Sequence, residues 1–192
     1  MTTVIFTCGE FLCGSLMFSY WLGLIANKNI KEIGDGNPGA ANLWKAAGFK
    51  YGITGVLLDF LKGFFPLAFL IKNHSITGYE IIPVALAPIF GHAFSPFLKC
   101  QGGKAIAVTF GVWSALTNFK VSLIYAAILA LLQIGSKFIY KKAPSTPERD
   151  GLQTTFGFIL LGFYLYVWET SDFLIWIWAG NLSIFVLKNR LV

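Results

Sequence analysis

The sequence is short of charge. Asp, Glu, Lys and Arg make up 12% of its 192 residues, about half of the ~25% usual in soluble domains, while hydrophobic residues reach 56% and mean hydropathy is +0.67. A water-soluble surface cannot be covered with so few polar side chains, so the composition points to an all-α integral membrane protein. Cysteine is also scarce. Cys8 and Cys13 stand on an apolar stretch and Cys100 stands alone, which spells out neither a disulfide framework nor a thiolate metal site. Histidine is limited to His74 and His92, and no metal or cofactor is expected. No Lys or Arg precedes the first apolar run, and that run is too long for a secretion signal, so it reads as a retained span. Internal repeats and low-complexity tracts are lacking, and one polytopic domain over residues 1–192 is expected.

What the chain has is apolar length. Runs at about 3–26, 49–71, 79–98, 104–118, 120–140, 152–168 and 172–188 predict seven spans, the fourth and sixth short enough to be re-entrant. Basic residues test the orientation, because they collect on the cytoplasmic side. With the N-terminus outside and the C-terminus cytoplasmic, twelve of the fifteen Lys and Arg fall inside; Lys72 and Lys120 fall outside and Lys62 within a span. The net charge of +6 then suits anionic headgroups and phosphorylated substrates and requires no nucleic acid. "KKAPSTPERDG" (141–151) has a linker's composition and reads as a flexible cytoplasmic connector. Trp168, Trp176 and Trp178 read as lipid-facing and interfacial anchors.

Two polar, glycine-rich stretches interrupt the apolar pattern on this cytoplasmic face. They are "EIGDGNPGAANLW" (32–44) and "GHAFSPFLKCQGGKA" (91–105). Glycines let successive backbone N–H groups turn inward into a concave row that holds phosphate, and each stretch leads to an apolar helix whose N-terminus favours anions. Lys45 and Lys104 add positive charge. A nucleotide P-loop is not matched, because Ala105 follows Lys104. Either stretch alone also fits a tight turn at a membrane surface; two on one face suit a reaction between two phosphorylated partners. Asp59 and Lys62, three apart on the second span, can pair on one helix face as a structural or a functional couple. His92 reads as an acid–base candidate or as a hydrogen-bonded strut.

"GDGNPGAAN", "DFLKG" and "GHAFSPFLKCQGGKA", with Gly14 and Ser15 before them, resemble in order and spacing the motifs of the PlsY family, the bacterial acyl-phosphate:glycerol-3-phosphate acyltransferases. The resemblance covers about residues 11–112. It implies seven spans in a cell membrane and attack of the 1-hydroxyl of glycerol 3-phosphate on an acyl phosphate, giving lysophosphatidate for phospholipid synthesis. It implies no cofactor, and membrane lipids and the two substrates as the partners of a monomer. By this likeness Gly36, Asn37, Gly39, Asn42 and Lys45 line one cradle and Gly102, Gly103 and Lys104 a second. His92, Lys104 and Asp35 are the candidate catalytic residues, and Lys62 is a further substrate-binding candidate. The chain departs from the family pattern at Asp35, where serine is usual, at Ala41 for threonine, Lys45 for arginine, and Ala105 and Val108 for glycine and threonine. The family's closing histidine motif is replaced by "FVLKNRLV". A lysine does not reproduce arginine's bidentate fork, so a different acceptor or a catalytically impaired relative that binds a phosphorylated lipid or lipid precursor stays open beside the acyltransferase, and so does a small transporter, suggested by Pro66, Pro83 and Pro88.

Overall fold

In the computed structural model, residues 1–140, 146–169 and 171–190 are described. The backbone among them is helical: α1 (Thr2–Ser15), α2 (Phe18–Ile25), α3 (Ala40–Lys72), α4 (Ile81–Ala93), α5 (Ile106–Thr117), α6 (Lys120–Tyr140), α7 (Pro147–Trp168) and α8 (Asp172–Arg190). Five stretches are long and apolar enough to cross a membrane: 2–25, 40–72, 78–98, 120–139 and 147–168. The run expected at 104–118 forms the shorter apolar helix α5, and the run at 172–188 forms α8, so five of the seven expected spans meet the length and hydropathy needed. Phe69, Phe138, Phe163 and Tyr166 are at least two-thirds exposed. In a chain of this composition such side chains face lipid, and the molecule is membrane-embedded.

Helices approach closely where side chains are smallest. α1 lies on α4, with Gly14 against the Pro88 backbone and Gly91 against the Phe11 carbonyl; α3 lies on α5, with Gly63 against the Val108 carbonyl and Gly111 against that of Phe60. Lipid offers no hydrophobic drive for helix association, so backbone proximity and interhelical hydrogen bonds hold such a bundle together. Buried Trp113 of α5 donates through Nε1 to Asn181 Oδ1 of α8 at 3.1 Å, and Asn181 donates to Thr109 Oγ1 at 3.3 Å. Trp178, expected among the lipid-facing anchors, instead packs on Gly162 and donates to the Phe158 carbonyl at 2.7 Å. Tyr125 of α6 donates to the Thr154 carbonyl of α7 at 3.0 Å.

Two helix breaks shape the polar centre. The first apolar run, expected as one helix, is interrupted at Leu16 (φ −64, ψ 120) and Met17 (φ −99, ψ 67). Carbonyls released by such a break need new donors; Ser95 Oγ donates to Ser15 O at 2.7 Å, and Lys62 Nζ donates to Leu16 O. The second break is at Gly48 (φ 81, ψ −176) inside α3, a conformation open essentially to glycine alone. The stretch read as a loop as far as Trp44 is therefore helical from Ala40, so Asn42 and Lys45 stand on a helix. Of the expected flexible connector, residues 141–145 lie outside the described residues and Pro147–Gly151 form the first turn of α7.

Candidate active site

Helix beginnings define the site. α3 starts after Gly39 and α5 after Ala105, neither start is capped by a side chain, and α7 starts at Pro147 beside them. Gly39, Ala40 and Ala41 around the α3 start, Ala105, Ile106 and Ala107 around the α5 start, and Pro147 of α7 all line one cavity of about 370 Å³. Free first-turn N–H groups and the positive end of the helix dipole favour an anion there.

Charged and polar side chains complete the lining. Asp35, Asn37, Asn42, Lys45, His92 and Lys104 reach the cavity, together with Asp59 and Asp150, while Val56 and Phe110 supply apolar wall. Lys104 Nζ lies 2.8 Å from Asp35 Oδ2 and 3.4 Å from the Pro147 carbonyl, to which it donates. Asp35 Oδ1 accepts from Asn42 Nδ2 at 2.9 Å and from the Asn37 backbone N–H at 3.2 Å, and Asn42 also donates to the Asn37 carbonyl at 3.0 Å. Partial burial works against ionisation of Asp35, but the hydrogen bonds from Lys104 and Asn42 outweigh it and hold the carboxyl below its ordinary value. Both glycine-rich stretches thus meet at one point. A second link, Lys31 Nζ to Gln101 Oε1 at 3.2 Å, ties them at the surface.

A buried ionic cluster forms part of this wall through Asp59 and His92. Lys62 Nζ is 2.8 Å from Asp59 Oδ1 and 2.8 Å from His92 Nδ1, and Asp59 Oδ2 accepts from Ser19 Oγ at 2.7 Å. With Leu16 O as third acceptor, the three N–H donors of the ammonium are all engaged. Lys62, Asp59 and His92 are each at least 94% buried. His92 in turn seats the second glycine stretch: its carbonyl accepts from the Gly103 N–H at 3.0 Å, and there is no room for a Cβ on Gly102 against the His92 backbone or on Gly103 against Nε2.

The candidate residues therefore fall into two sets. Asp35, Asn37, Gly39, Asn42, Lys45, His92 and Lys104 share the cavity. Gly36 turns the chain with φ +73 beside the Lys31 carbonyl, Lys62 sits behind the wall, and Gly102 and Gly103 pack on His92; none of these four lines the cavity. Sequence reasoning missed Asp150, Ser19 and the Leu16 carbonyl. The available signal for the first was Thr146 followed by Pro147, an N-cap pattern marking a helix start; the other two depend on the break at residues 16–17.

Comparison with known proteins assigns the chain a family. A family model described as glycerol-3-phosphate acyltransferase matches residues 4–189. Glycerol-3-phosphate acyltransferase 1 of Thermotoga maritima is 41% identical over 186 residues, 95% of this chain and 91% of that one. The glycerol-3-phosphate acyltransferase of Aquifex aeolicus is 31% identical over 154 residues, 80% and 77% of the two chains. Among solved structures, the lysophosphatidic acid form of PlsY, an integral membrane glycerol 3-phosphate acyltransferase, superposes with a TM-score of 0.81 at 25% identity, covering 100% of this chain and 89% of that one. Its glycerol 3-phosphate form gives 0.80 at 24%, with 100% and 90% coverage. With nearly the whole length matched in sequence and fold, this chain belongs to the glycerol-3-phosphate acyltransferase family typified by PlsY.

Proposed function

We propose that the protein is a membrane acyltransferase that moves an acyl chain from acyl phosphate to the 1-hydroxyl of glycerol 3-phosphate, giving lysophosphatidate and inorganic phosphate for phospholipid synthesis. The observation that carries this reading is the meeting of two uncapped helix N-termini with Lys104 and Lys45 around one cavity. Phosphate is a good leaving group, so alignment of two bound phosphates and stabilisation of developing negative charge supply the acceleration. A protein nucleophile, a metal and an organic cofactor are all unnecessary to that route. Lys104 and Lys45 neutralise phosphate, the first-turn N–H groups of α3 and α5 donate to it, Asn37 and Asn42 orient the glycerol moiety, and Asp35 holds Lys104 in place until phosphate arrives.

In this reading residues 1–192 form one monomeric domain in the cell membrane, with seven spans if α5 and α8 are counted, the N-terminus outside and the cavity open to the cytoplasm. The distribution of Lys and Arg supports that orientation. Purified protein given acyl phosphate and labelled glycerol 3-phosphate, with a protein-free sample as blank, is expected to make labelled lysophosphatidate, and Lys104→Ala to make it about 10- to 100-fold more slowly. A folded sample with no product above the blank rejects the reading.

A further inference from the structure

We infer that His92 serves the acyl transfer as a fixed hydrogen-bond donor, through Nε2–H, to the acyl oxygen on which negative charge gathers, and not as the base that takes the hydroxyl proton. The inference rests on the acyltransferase reading above and on the contacts around the imidazole.

An ammonium group donates and cannot accept. Lys62 is held as an ammonium by Asp59 at 2.8 Å and by the Leu16 carbonyl, so at its 2.8 Å contact with His92 Nδ1 the ring nitrogen must be the acceptor. Asp59 Oδ1, 3.9 Å from Nδ1, is too far to accept a proton from it. With Nδ1 committed as a lone pair, the single proton of the neutral ring sits on Nε2. The charged groups around the ring are Asp59 and Lys62 on α3 and Lys188 on α8. His92 is 4% exposed and lines the cavity. Nε2 lies against Gly103, the neighbour of Lys104, which lines the same cavity.

A donor so placed has a definite use. As the 1-hydroxyl oxygen bonds to the acyl carbon, the carbonyl π pair moves onto the acyl oxygen, where Nε2–H stabilises it. The pair returns as the carbon–oxygen bond to phosphate breaks, and the hydroxyl proton leaves on the departing phosphate, so His92 neither gains nor loses a proton. Lys62 is then a positioning residue that fixes the tautomer, and the Asp59–Ser19 contact fixes Lys62.

The test joins a spectrum to kinetics. In protein labelled with nitrogen-15 histidine there are only two rings, His92 and His74, and a His74→Gln variant assigns them. The expected spectrum has Nε2 of His92 protonated and Nδ1 bare, unchanged from about pH 6 to about pH 8. His92→Phe, which lacks the donor, is expected to lose about 10²- to 10³-fold in kcat with KM for glycerol 3-phosphate little changed. His92→Gln, which offers an amide N–H, is expected to recover to within about tenfold of the parent. A proton found on Nδ1, a His92 titration that tracks the kcat profile, or a folded Gln variant as slow as Phe overturns the inference. Those results with an active parent remove only the role of His92. A parent inactive toward glycerol 3-phosphate removes the acyltransferase reading and this inference with it.

Discussion

Two ion pairs of the same length border the cavity, one buried in its wall and one more exposed. Asp59–Lys62 and Asp35–Lys104 both measure 2.8 Å, but the side chains of the first are 2–3% exposed and those of the second 14–16%. The inner pair has every Lys62 donor engaged and is anchored to the Leu16 carbonyl at the helix break, to Ser19 of α2 and to His92. It is a built part of the bundle, and a buried charge deprived of its partner is expensive. The outer pair borders open space, so an incoming phosphate can take over Lys104 without leaving Asp35 in a dry environment. Equal distances therefore carry unequal consequences: burial decides which pair is scaffold and which is exchangeable.

The inner pair gives the largest expected effect. Asp59→Ala leaves Lys62 buried beside a bare imidazole and is expected to cost about 3–5 kcal/mol, read as a lowered thermal midpoint in detergent. Asp59→Leu combined with Lys62→Met is expected to recover much of that loss; no recovery would mean that the pair does more than satisfy itself. At the outer pair, Lys104→Ala is expected to keep the fold and lower kcat/KM about 10- to 100-fold, as fits loss of a charged hydrogen bond worth about 1.5–3 kcal/mol. An equal drop in thermal midpoint at both lysines would erase the contrast.

Asp35→Ser sharpens it in the opposite direction. Without the carboxylate Lys104 is free for phosphate, so KM for glycerol 3-phosphate is expected to fall several-fold while stability changes by about 1 kcal/mol or less. An increase in KM would instead make Asp35 a direct contributor to substrate binding. The smallest effect is in pH dependence. The folded-state value of Asp35 is lowered, so its contribution is complete above the ordinary carboxylate value of about 3.9 and is lost as pH falls through the lower folded value. Acid unfolding of Asp35→Ser is therefore expected to lack that small component, with no difference between the two proteins near neutral pH.

Much of the inner cluster was within reach of the sequence in pieces. The spacing of Asp59 and Lys62 announces an i,i+3 pair, and both lie in an apolar run where unpaired charge is costly. Their other partners could not be read. Ser19 is 40 residues from Asp59 and Leu16 is 46 from Lys62, and the Leu16 carbonyl is free only because α1 and α2 are separate helices. At the outer site Lys104 and the glycines stood out, but their division did not. Gly102 and Gly103, expected to cradle phosphate, lie on His92, while the stretch expected to be a connector supplies Pro147 and Asp150 to the lining.

The sequence by itself determined the membrane class, the helical runs, the family and the placing of two cation-bearing, glycine-rich stretches. The family follows from the likeness of the motifs to known ones; the rest follows from local composition and spacing, since a lipid-embedded backbone must close its hydrogen bonds within each helix. Only the tertiary structure decided which helix starts converge on one cavity, which of two aspartates holds a buried lysine, and which nitrogen of His92 faces Lys62. Each of those depends on partners far apart in the chain, brought within hydrogen-bond distance by the packing of small residues between helices.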